Sequence, residues 1–146
     1  MTIHVRAAVL IRRPRAVVAQ YMFDARNDAD WTTGVVPCRP LTNGALRPGS
    51  RVERVTNFLG REFTYQYCVT ARDGDRVVDL SVDEPFPMRI RYELCEEDGG
   101  TLASIRANAE AGRFFRIAGP LLALIVRRNI ARDLASLKAR LENGTG

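Results

Sequence analysis

Residues 120–142, PLLALIVRRNIARDLASLKARLE, constrain the fold more than any other stretch of the chain. Apolar residues recur at three- and four-residue steps from Leu122 and Ala123 through Val126, Ile130, Leu134, Leu137 and Leu141, which is one face of an α-helix. Gly119 suits the N-cap and Pro120 the first helical position, where a missing N–H costs nothing. Asn143-Gly144 supplies a stop. Each large aliphatic on this face contributes roughly 1.5–3 kcal/mol when buried. No other segment reads as a long helix, so something extended must cover this one.

The remainder of the chain supplies strands. Ile3, Val5, Ala7, Val9 and Ile11 alternate with His4, Arg6, Ala8 and Leu10, which predicts a strand over residues 3–11. After Pro14, Val17, Val18, Tyr21 and Met22 fall at helical spacing, and Asp24 can cap a second short helix over 25–31. Residues 35–41 read as a short strand, placed at an edge by Pro37 and Pro40. Strands follow at 50–58, 61–71, 76–84, 88–96 and 101–110. They are separated by Gly60, Asp73-Gly74-Asp75, Pro85-Phe86-Pro87 and Asp98-Gly99-Gly100, all turn chemistry. Spacing of about a dozen residues with no helices between strands means antiparallel pairing. The expectation is one α+β domain over residues 1–146, with a curved sheet packing its apolar face on the final helix.

The faces of these strands point to a cavity. Phe63, Tyr65, Tyr67 and Val69 share one face, with Glu62, Thr64, Gln66 and Thr70 on the other. Met88, Ile90, Tyr92 and Leu94 repeat the pattern. The last strand offers small residues, Ala103, Ala107 and Ala109 beside Ile105, along which the helix is expected to approach closely. The sheet is then expected to stand off at the rings of Phe63, Tyr65 and Tyr67, leaving a space walled by apolar groups and tyrosine hydroxyls. The first turns of the helix, Leu121 to Ile125, are apolar nearly all round, and Leu121 and Ile125 are candidate ligand contacts there.

Composition narrows the chemistry. The net charge is +5, and Lys138 is the sole lysine, so the positive charge is almost all arginine. The arginines run from Arg6 to Arg140 without interleaving with aromatics as a stacking platform would, so no nucleic-acid partner is expected. Three cysteines (Cys38, Cys68, Cys95) lack CxxC spacing and suggest reduced thiols in the cytoplasm. His4 is the single histidine, so neither a metal site nor a histidine-based triad is expected, and no cofactor is foreseen. The apolar run 117–126 is far short of the ~20 residues that span a bilayer, and the run 7–11 is too short for a signal-peptide core.

Several stretches resemble one family: IRRPRAVVAQYMFDARNDADW (11–31), RPGSRVERV (47–55), GREFTYQY (60–67), DEPFPM (83–88), GGTLASIRA (99–107) and GPLLALIVRRNIARDLASLKARLE (119–142). In this order they are similar to the START-related polyketide cyclase/dehydrase (SRPBCC) superfamily, the helix-grip or birch-pollen-allergen-like proteins. The resemblance implies a seven-stranded antiparallel sheet wrapped around a long C-terminal helix. It also implies two short helices after the first strand and a hydrophobic cavity between sheet and helix. Members bind lipids, sterols, polyketides, quinones or plant hormones, and some are enzymes. In the aromatase/cyclases of this family the strand after the Gly-Arg turn carries inward aromatics and then an inward Ser and Arg. Here Tyr67 and Val69 stand at those two places, so the acid/base candidates of this chain are Tyr65, Tyr67 and Arg54.

The expected function is therefore binding of a hydrophobic small molecule, with polyketide cyclase or dehydratase activity as the alternative. Candidate ligand contacts are Trp31, Arg54, Phe63, Tyr65, Tyr67, Phe86, Met88, Ile90 and Tyr92, besides Leu121 and Ile125. Arg54 shares its face with Val52 and Thr56. A place at the rim, reaching water, is one reading. A place inside requires a carboxylate, a ligand anion or wet surroundings. Trp31 is as well suited to plugging the core as to stacking on a ligand, and Phe86 between two prolines to anchoring its turn as to covering an entrance. A further alternative is a lipid-delivery or interaction module, with transient membrane contact through Arg113, Arg116, Arg127, Arg128 and Arg132. The chain is then a monomer or a homodimer.

Overall fold

A computed structural model describes residues 3–32, 34–110 and 112–143 of the 146-residue chain. The alternating segments become strands β1 (Ile3–Ile11), β2 (Val35–Pro40), β3 (Arg51–Phe58), β4 (Arg61–Asp73), β5 (Val77–Val82), β6 (Met88–Glu97) and β7 (Gly100–Ala109). Helix α1 (Arg15–Met22) is followed by a 3-10 turn at Ala25–Asn27 and by α2 (Asp28–Trp31). The Asp24 carboxylate accepts from the Arg26 amide at 3.0 Å, which is the cap expected of it. A four-residue helix α3 (Gly112–Phe115) and the long α4 (Gly119–Asn143) complete the chain. This is the helix-grip layout.

The seven strands form one sheet in the order β1-β7-β6-β5-β4-β3-β2, with every neighbouring pair antiparallel. From β2 to β7 it is a meander of consecutive strands. β1 then joins beyond β7, with Ile3 opposite Ala109 and Ile11 opposite Thr101. β2 lies at an edge, where its two prolines leave no central ladder bond unmade. Gly34, just before it, has φ +81°, and an added Cβ would collide with the carbonyl oxygen of Asn57. Glycine is required there on both counts.

Helix α4 lays Leu122, Ile130, Leu134, Leu137 and Leu141 against the sheet. Its closest neighbour is β1 rather than the small-residue face of β7. The C-terminal half is fastened to β1 and the turn after it by polar contacts. Lys138 Nζ donates to the Leu10 carbonyl and to Glu142 Oε2, each at 2.7 Å, and the Arg12 amide donates to Glu142 Oε2 at 2.8 Å. Arg13 Nη1 reaches the Leu141 carbonyl at 3.2 Å. The expectation of close approach along Ala107 and Ala109 is thus corrected: both line the space between sheet and helix. Small side chains there make room, and Ala109 also shares an apolar cluster with Leu122 of α4. Ala103, fully buried, belongs to the packed core.

Candidate functional site

Alternation on β3, β4 and β6 sends Arg54, Thr56, Phe63, Tyr65, Met88, Ile90 and Tyr92 inward from one wall, and α4 supplies the other. Between them lies a cavity of about 150 Å³. Trp31, at the end of α2, closes one side with its edge against Tyr92, ring centroids 5.8 Å apart. From α4 the cavity receives Val126, Asn129, Ile130 and Asp133. The helix therefore faces the cavity with its middle turns. Leu121 and Ile125, expected as ligand contacts, are not part of the lining, and Leu121 is 54% exposed. Helical spacing marks which side of α4 is apolar, but not how far along it the sheet curves away.

One end of the cavity is polar, and a network behind the wall explains why. Asp28, the first residue of α2, has no solvent exposure, and Arg54 is 4% exposed. Asp28 Oδ2 accepts from Arg54 Nη2 at 2.7 Å and Nε at 3.2 Å, and from the Tyr67 hydroxyl at 2.8 Å. Arg54 Nη1 donates to Tyr65 Oη at 3.1 Å and Nη2 to Tyr92 Oη at 3.4 Å. The guanidinium also lies over the Tyr67 ring, 4.7 Å from its centroid. Arg54 is consequently inside, and its partner is a carboxylate. Tyr67 is corrected in the same way: its hydroxyl is committed to Asp28, and its side chain does not line the cavity. Asp28 Oδ1 and Trp31 Nε1 are buried without a hydrogen-bond partner among the described residues.

Electrostatics hold Tyr67, Tyr92 and Arg54 in their protonated forms. Burial pushes the Tyr67 hydroxyl far above its ordinary range, and the Asp28 charge adds to the shift against the opposing pull of Arg54. Burial likewise raises Tyr92, in part offset by Arg54. Burial alone would favour a neutral Arg54, but the Asp28 charge and the tyrosine oxygens outweigh it, and the guanidinium is held well above its usual range. Cys38 Sγ sits 3.8 Å from Asp28 Oδ2, and burial, reinforced by that carboxylate, pushes its thiol up to about 11. Tyr67 and Tyr92 thus stay protonated and Arg54 stays a cation paired with Asp28, so these groups are hydrogen-bond donors rather than bases.

The opposite end is aromatic. Phe63 packs against Phe86 at 5.9 Å and Phe114 at 5.2 Å between ring centroids, and Phe58 meets Phe115 at 5.1 Å. Arg61 holds α3 in place, its guanidinium 3.9 Å from the Phe114 ring centroid and hydrogen-bonded to the Phe114 carbonyl. Of the residues expected at a ligand site, Trp31, Arg54, Phe63, Tyr65, Phe86, Met88, Ile90 and Tyr92 are brought together around the cavity. Sequence reasoning missed Asp28, Thr56, Asn129 and Asp133. For Asp28 a signal exists: it precedes the inward Trp31 by three residues on one helix, hence on the same face. Among the described residues no three His, Cys, Asp or Glu side chains gather as a metal site. No helix of the described chain is long and apolar enough to cross a membrane.

Solved structures show where this fold recurs. A START superfamily protein from Mycobacterium smegmatis superposes with a TM-score of 0.82 at 14% identity, covering 97% of this chain and 99% of the other. The protein TTHA0849 from Thermus thermophilus gives 0.81 at 16% identity, covering 98% and 99%. Zhui aromatase/cyclase from Streptomyces sp. R1128 gives 0.80 at 19% identity, covering 98% and 95%. At such identities the likeness establishes the fold. No curated protein sequence matches the chain. The family described as "Polyketide cyclase / dehydrase and lipid transport" matches residues 2–142, nearly the whole length. With its seven-stranded sheet, gripped helix and the cavity between them, the chain belongs to the polyketide cyclase/dehydrase and lipid-transport family.

Proposed function

We propose that the protein binds a hydrophobic small molecule in the cavity between the sheet and α4. The observation that carries this reading is the two-ended lining: Phe63, Phe86, Met88, Ile90 and Phe115 give it an apolar body, and Arg54, Tyr65 and Tyr92 give it a polar end. Ligand sites are commonly apolar clefts with a few convergent polar groups that fix orientation. Native mass spectrometry of the purified protein, together with melting curves in the presence of fatty acids, flavonoids and single-ring aromatics, tests it. A co-purifying ligand or a raised melting temperature is the expected result. A protein that emerges empty and whose melting temperature none of these compounds moves contradicts it.

A second reading, a cyclase or dehydratase, draws on the pairing of Arg54 with Tyr65 in the cavity wall and on the fold shared with an aromatase/cyclase. Donors aimed at a developing enolate oxygen would serve that chemistry. Turnover of a polyketide-like substrate should then fall in Tyr65→Phe and Arg54→Ala. Unchanged rates in both variants remove this set from catalysis.

A further inference from the structure

Three donors stand at the polar end of the cavity with no acceptor among the described residues. A phenol both accepts and donates. The oxygens of Tyr65 and Tyr92 accept from Arg54, which turns their protons away from the guanidinium, and among the described residues neither hydroxyl donates a hydrogen bond. Trp31 Nε1, an indole donor in the same wall, is buried and has no partner among those residues. Burial keeps Tyr92 protonated, so it stays a donor. Buried donors left unmade are costly, which favours an occupant that answers them.

The occupant's chemistry follows from charge and size. Arg54 is already neutralised by Asp28 at 2.7 Å, so an anionic ligand would bring an uncompensated charge into a buried site. A carbonyl oxygen brings two lone pairs and no charge or proton of its own, and it can accept from two donors at once. A cavity of about 150 Å³ admits a body about the size of one benzene ring.

We propose that the cavity selects a ring-sized apolar body bearing a carbonyl oxygen, as in an aryl ketone, with the oxygen held by the hydroxyls of Tyr65 and Tyr92. The ring lies among Phe63, Met88 and Ile90. This rests on the cavity being a ligand site, and three probes separate the two claims. Acetophenone carries the carbonyl, α-methylstyrene replaces its oxygen by a methylene of similar shape, and benzoate replaces the methyl ketone by an anion. Titration calorimetry on the full chain is expected to find acetophenone bound about tenfold more tightly than α-methylstyrene, the worth of one buried hydrogen bond, with benzoate weaker still. Tyr65→Phe and Tyr92→Phe should each remove most of the preference for acetophenone over α-methylstyrene, and continued binding of α-methylstyrene reports a folded cavity in each variant. Equal affinity for acetophenone and α-methylstyrene, or tightest binding of benzoate, overturns the carbonyl selectivity while leaving a ligand site in place. Failure of all three to bind overturns both.

Discussion

A carboxylate with no solvent exposure is tolerated when every charge near it is answered, and Asp28 is answered by Arg54 and Tyr67. Removing one partner strands the other. Arg54→Met is therefore expected to destabilise the fold by about 3–5 kcal/mol, whereas Asp28→Asn combined with Arg54→Met should cost clearly less than the two single losses added together. Urea denaturation of the three variants measures this, and additive losses would refute the coupling. The raised Tyr67 and Tyr92 hydroxyls set a pH dependence of definite sign. Folded, these phenols keep their protons above the value of 10.0 at which they ionise in an unfolded chain. Their contribution is fully present below pH 10 and is lost as the pH climbs toward the folded values. Denaturant midpoints taken from pH 8 upward should hold level and then fall above about pH 10, with a shallower fall in Tyr67→Phe. At this scale the sequence was legible as far as register: alternation on β4 placed Tyr65 on the inner face, while for Arg54, which shares its face with Val52 and Thr56, rim and interior both stayed open. It did not name Asp28 as the counter-charge, because that pairing depends on where α2 folds across the sheet, and no period within a strand encodes it.

Among the elements, α4 divides its labour along its length. Leu134 and Leu137 are fully buried and the C-terminal turns are tied to β1, while the middle turns face the cavity. Leu137→Ala should accordingly cost about 2–5 kcal/mol, as truncations in a packed core do. Leu121→Ala, at a site 54% exposed, should stay within about 0.5 kcal/mol. Thermal melts of the pair test the contrast, and comparable losses would mean that the first turns are packed after all. The seven strands, α1 and α4 could be read from the chain to within a few residues, since each repeats its period long enough to stand out. Helix α3 could not, because four residues complete barely one turn and show no period. The part of α4 that meets the cavity was also misplaced. The apolar stripe continues unbroken past Val126, Ile130 and Leu134, and periodicity carries no information about curvature of the sheet beneath it.

Across the whole molecule, the sheet has two free edges, β1 and β2, and the helices pack on its inner face around the cavity. Alternation revealed which side of each strand is buried, but the neighbour of β1 was not written in its own residues. Its place beside β7 is seen only in the fold. That placement bears on the order of assembly. The hairpins from β3 to β7 join strands adjacent in the chain, so each can close over a short loop. β1 has to wait for residues 101–109, and α4 for β1. As the chain leaves the ribosome, the first strand emerges long before its partner exists. The meander is therefore expected to form early and the grip late, and pulse-labelled amide exchange during refolding should protect β4 and β5 ahead of β1.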